Sequence, residues 1–102
     1  MDFSKLGEML SAANDMKQQM DERLATTVLE ADSGGGAVRV KINGKKELLS
    51  LRIDASAAQA VGSDISMLED LIIAAVNAAG RKADEAQDST AKGMLGNMLP
   101  GF

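Results

Sequence analysis

Apolar residues return every three or four positions over the first quarter of the chain, at Phe3, Leu6, Leu10, Ala13, Met20 and Leu24. That period belongs to one face of a helix and predicts a helix from Ser4 to about Ala25. The stripe is narrow, Lys17 interrupts it, and the rest of the surface is charged or amide-bearing, as in NDMKQQMDER. At 1.5 Å per residue such a helix is about 30 Å long, more than the cover of a small sheet requires. A narrow seam on a long helix favours pairing with another helix over packing on its own sheet.

The period then changes to two. TTVLEAD, residues 26–32, is β-prone, ends in turn residues and reads as a first strand. Ala37 to Ile42 is a second, with Val38, Val40 and Ile42 on one face and Arg39 and Lys41 on the other. Glu47 to Ile53 is a third, with Leu49, Leu51 and Ile53 alternating against Leu48, Ser50 and Arg52. Asn43-Gly44 between them is the dipeptide that type I′ hairpin turns favour. A two- or four-residue loop puts Val38, Val40 and Ile42 on one face with Leu49, Leu51 and Ile53. A three-residue loop would split them across both faces. The same parity gathers Arg39, Lys41, Lys46 and Arg52 on the opposite face, with no acid among them. The commonest fate of such alternating charges is a solvated outer face.

Residues 54–64, DASAAQAVGSD, read as a connection with about one helical turn. Ser66 and Glu69 have the spacing of a capping box ahead of a broad apolar stripe, Leu68, Leu71, Ile72, Ala75, Val76, Ala79 and Ala83. The stripe suits the apolar face of the sheet. Helical character fades toward Ser89-Thr90, and residues 93–102, GMLGNMLPGF, read as a mobile end or a strapped-down extension. The expected architecture is α+β in the order α-β-β-β-α: a long N-terminal helix, a three-stranded antiparallel sheet and a long C-terminal helix. The 102 residues make one small domain.

Composition narrows the chemistry. The chain has no His, Cys, Tyr or Trp, and its two aromatics, Phe3 and Phe102, sit at the ends. Histidine- and cysteine-based nucleophiles, imidazole acid–base catalysis and Cys/His zinc sites are excluded. The remaining carboxylates, lysines and hydroxyls form no constellation, so neither an enzyme nor a bound cofactor, metal or small-molecule substrate is expected. A core of Leu, Ile, Val, Met and Ala is thin at this length, which favours a homo-oligomer. The N-terminus has no secretory pattern, and the longest apolar run, Leu71 to Val76, is too short to span a bilayer. A cytoplasmic location without a membrane partner is expected.

Three glycines, Gly34 to Gly36, precede the second strand. A phosphate cradle would need a further glycine where Arg39 stands and a helix after it, or Gly-Lys-Ser/Thr at its end. Neither is present, so the run reads as a joint between strands. The net charge is −4, but Arg39, Lys41, Lys45, Lys46 and Arg52 crowd one short segment whose only acid is Glu47, before Asp54 closes it. Lysine and arginine neutralise phosphate without reading sequence. The lack of interleaved aromatics argues against single-strand stacking and leaves the backbone of double-stranded DNA as the fitting polymer. The candidate contacts are Arg39, Lys41, Lys46 and Arg52, with Arg81 and Lys82 added by local charge. The rival reading is a protein-binding adaptor or assembly scaffold, supported by the Met-rich first helix and tail and by the negative net charge.

The order of the pieces resembles the YbaB/EbfC family of bacterial nucleoid-associated proteins. MKQQMDE, SGGGAVRVKING, LRID, MLEDLIIAAVNAAGRK and the terminal LPGF carry the resemblance, in that order along almost the whole chain. It implies a helix–three strands–helix chain that forms a tweezer-like homodimer. It further implies binding of double-stranded DNA with little sequence preference, changes in DNA conformation, and a role in nucleoid organisation and gene regulation. The chain departs from the family's pattern after Ile53-Asp54, where Ala55 replaces a frequent Pro, and in its overall acidity.

Overall fold

The computed structural model describes residues 3–98. In chain order they form α1 (Phe3–Thr26), β1 (Val28–Ser33), β2 (Val38–Asn43), β3 (Leu48–Ile53), α2 (Ala55–Val61) and α3 (Ile65–Met98). The strands make one antiparallel sheet in the order β1-β2-β3. The expected helix–sheet–helix architecture is present. The single turn expected after β3 is a seven-residue helix, α2, started by the Asp54 carboxylate accepting the Ser56 N–H at 3.0 Å.

One face of the sheet is covered by α3. Ala31, Val38, Val40 and Ile42 pack against Ala75, Ala79 and Ala83, with Leu68, Leu71, Ile72 and Val76 partly buried around them. Three alanines one turn apart let the helix lie close on the strands. Asp64 caps this helix by accepting the Met67 N–H at 3.1 Å, which corrects the capping box read at Ser66 and Glu69. Aspartate is as good a cap as serine, and a start at Ile65 leaves Ser66 inside the first turn.

At its far end α3 does not fade at Ser89-Thr90. It runs 34 residues to Met98, through Gly93 and Gly96. Packing overrides local propensity here: Ala91, Met94 and Leu95 lie against Met16 and Met20 of α1, and Met94 is buried. The part of the expected tail from Leu99 to Phe102 lies outside the described residues. Only the C-terminal part of the α1 seam, around Met20, thus meets another helix, α3 of the same chain, while Phe3, Leu6 and Leu10 of the seam are exposed. The two helices form an antiparallel arm that stretches the molecule to 69 × 26 × 18 Å.

The β2–β3 hairpin has the three-residue loop that parity argued against. Asn43 N–H donates to Glu47 O and Lys46 N–H to Asn43 O, both at 3.0 Å, and Lys46 takes the left-handed conformation at φ 66°. Asn43-Gly44 is therefore not a type I′ turn. Faces are preserved because a β-bulge follows: Ile42 pairs with Leu48 and Lys41 with Ser50, so Leu49 is the extra residue. Beyond it Val40 faces Leu51, Arg39 faces Arg52 and Val38 faces Ile53. An odd loop and a one-residue bulge cancel. Between β1 and β2 the glycine run is a joint, with φ of 61°, 67° and 97° at Gly34, Gly35 and Gly36.

Candidate nucleic-acid interface

The face of the sheet away from α3 carries Arg39, Lys41 and Arg52 of the hairpin. Arg39 on β2 lies directly opposite Arg52 on β3, and Lys41 lies opposite Ser50. Like charges directly opposed on a sheet cost stability. Neither arginine makes an ion pair with a carboxylate among the described residues. Arg39 leans back over the joint: a side chain at Gly36 would begin 3.0 Å from an Arg39 Nη. Arg39, Lys41, Leu49, Ser50 and Arg52 line one shallow hollow together with Glu30.

This face is not free of acids. β1 lies antiparallel to β2 with Glu30 opposite Lys41 and Asp32 opposite Arg39, and Lys41 Nζ is 3.5 Å from Glu30 Oε1. The parity count on the hairpin missed them. Once the β1–β2 joint is given four residues, even positions of β1 fall opposite odd positions of β2, which would have revealed both carboxylates. The outer face is graded, with acids along the β1 edge and unpaired arginines toward β3.

Lys46 does not share this face. Its αL backbone turns the side chain to the α3 side, where Nζ sits 2.6 Å from Asp84 Oδ1, near Arg81. Lys82 lies at the β1 edge, where its Nζ donates to the Glu30 carbonyl at 2.6 Å. Of the six candidates, the sheet brings Arg39, Lys41 and Arg52 together, Lys82 lines a hollow with Arg39, Glu30 and Asp32, and Lys46 with Arg81 stands apart on the α3 side. No group of three or more carboxylates capable of holding a metal ion occurs among the described residues, and none of their helices is long and apolar enough to cross a membrane.

A long two-helix arm thus stands on a small sheet whose open face bears arginines without ion pairs. The family model of the YbaB/EbfC DNA-binding family matches residues 2–98, and the chain belongs to that family. A nucleoid-associated protein of Acidobacterium capsulatum is 55% identical, over 96% of this chain and 95% of its own length. Another, from Koribacter versatilis, is 46% identical over 95% of both chains. The crystal structure of an uncharacterized protein from Helicobacter pylori superposes with a TM-score of 0.78 at 33% identity, covering 94% of this chain and 99% of that one.

Proposed function

We propose that this chain works as a homodimer that grips double-stranded DNA by its phosphates with little sequence preference, alters its path, and acts on the nucleoid in the cytoplasm. The names of its relatives and its family support the nucleoid setting. The observation that carries the mode of binding is the Arg39–Arg52 opposition on the outer face. Two cations held side by side, neither in an ion pair with the nearby Asp32 or Asp54, gain most from an anion laid between them, and a phosphate supplies it. Nothing on this face resembles a helix seated to read base edges, so shape and backbone charge would set affinity.

The test is a salt series of binding to duplexes of unrelated sequence. Log affinity is expected to fall linearly with log salt, with a slope of about −0.9 per phosphate neutralised. Arg39→Glu with Arg52→Glu weakens binding to every duplex alike and flattens the slope, whereas Lys5→Glu leaves both unchanged. Salt-independent binding, or reversal variants that bind as the parent does, would remove this face from the site. The adaptor reading keeps one specific support, the exposed Phe3, Leu6, Met9 and Leu10 on the outer half of α1. It would prevail if no duplex bound at low salt while a protein partner was retained through that stripe.

A further inference from the structure

β3 is the one strand left open by its own subunit. It ends the sheet, α3 lies across β1 and β2 instead, and Leu48, Leu49, Leu51 and Ile53 are 49%, 51%, 37% and 38% exposed. The opposite edge is guarded by contrast: Lys82 bonds to the Glu30 carbonyl, and Glu30 and Asp32 put charge along β1. An edge strand with four large apolar residues, one charge and no proline is a template for another strand.

We propose that β3 pairs antiparallel with β3 of a second copy, with Leu51 on the two-fold axis, so that the basic surface is built from both subunits. This rests on the homodimer reading and specifies how the dimer is made. The register follows from parity and charge. Directly opposite residues share a face, so the apolar Leu51 must meet an odd-numbered neighbour in the regular stretch beyond the bulge. Pairing Leu51 with Ile53 of the partner subunit would bring the two Arg52 side chains face to face. Pairing Leu51 with its own copy puts each Arg52 opposite Ser50 instead and avoids that repulsion. A second copy fits this edge because LSLRI, residues 49–53, meets its own image in that register with apolar against apolar and cation against hydroxyl. On the outer face each cross-strand row then reads Asp32, Arg39, Arg52, followed by the partner's Ser50, Lys41 and Glu30. The cations of both copies occupy the four central strands and the acids lie at the rims, so one subunit alone holds half of the surface.

The chain has no cysteine, so engineered cysteines report the geometry directly. Opposed Cα atoms in an antiparallel pair are about 4.5–5.5 Å apart, within disulfide range. After oxidation with copper phenanthroline, Leu51→Cys is expected to run as a covalent dimer on a non-reducing gel. Ser50→Cys mixed with Arg52→Cys should cross-link as a heterodimer, while Glu30→Cys and Arg52→Cys alone should not. Ser50 and Arg52 are exposed, so these variants keep the fold even if Leu51→Cys does not. A dimer by sedimentation that cross-links through Arg52→Cys alone, or through none of these positions, overturns the β3 pairing and leaves the homodimer standing. A monomer at micromolar concentration removes both.

Discussion

Gly44 shows how much a single missing side chain can hold in place. A β-carbon there would lie 2.7 Å from Leu24 Cδ2 and 3.0 Å from the Leu24 carbonyl oxygen. Its N–H donates to Leu24 O at 2.8 Å and to Thr27 O at 3.0 Å, and its own carbonyl accepts from Gln87 Nε2 at 2.8 Å. The end of α1, the hairpin and α3 meet at this residue, and the approach is too close for any other. Next to it Asn43, 3% exposed, is satisfied on both sides. Its Oδ1 accepts from the Lys45 and Glu47 N–H groups at 3.0 Å, and its Nδ2 donates to Glu47 Oε1 at 2.8 Å. Asn-Gly was legible as a turn, but the reason for the glycine was a neighbour distant in sequence. Gly44→Ala is expected to cost about 1–3 kcal/mol through overpacking against Leu24, read as a lower urea midpoint. Gly35→Val has open space around it and should lose only about 1–2 kcal/mol, from its positive φ.

Among the elements, α3 departs most from its local sequence. Its start was placed at Ser66 because the S-x-x-E pattern is visible there, while Asp64 makes the bond. Asp64→Ala is therefore expected to cost about 0.5–2 kcal/mol, seen as a lower thermal midpoint, with Ser66→Ala close to neutral. The reverse order would restore the capping box. The alternation in β2 and β3 was readable as two faces, yet the hairpin reaches them by an odd loop corrected at Leu49. Deleting Leu49 should remove the bulge and keep Val40 opposite Leu51 and Arg39 opposite Arg52. Cross-strand proton contacts by NMR check this, and their loss would mean that Leu49 is not the extra residue.

For the molecule as a whole, the arm is the feature that the small core does not support by itself. Leu24 is buried at its base, and Met16 and Met20 meet Ala91, Met94 and Leu95 further out, while Phe3, Leu6, Met9 and Leu10 stay exposed. The contact between α1 and α3 is thin, so it should open independently of the sheet. Replacing Met16 and Met20 with Ser is expected to speed amide hydrogen exchange in residues 3–20 by tenfold or more while β2 keeps its protection. Equal loss of protection in the strands would show that the arm and the sheet unfold as one unit.

Periodicity alone was enough for the three strands, the two long helices, the apolar face of α3 and the separation of Arg39, Lys41 and Arg52 from the core, because each depends on which side of its own element a residue falls. Lys46 was misplaced because one residue at positive φ turns a side chain to the other face, and Glu30 and Asp32 were overlooked because their position depends on pairing with another strand. The extension of α3 to Met98 was hidden for a similar reason: two glycines and a Ser-Thr pair argue locally against helix, and methionines of α1, some seventy positions away in sequence, outweigh them. Local pattern sets the face a residue presents within its element, while register, loop parity and helix length come from contacts between elements, which no window along the chain contains.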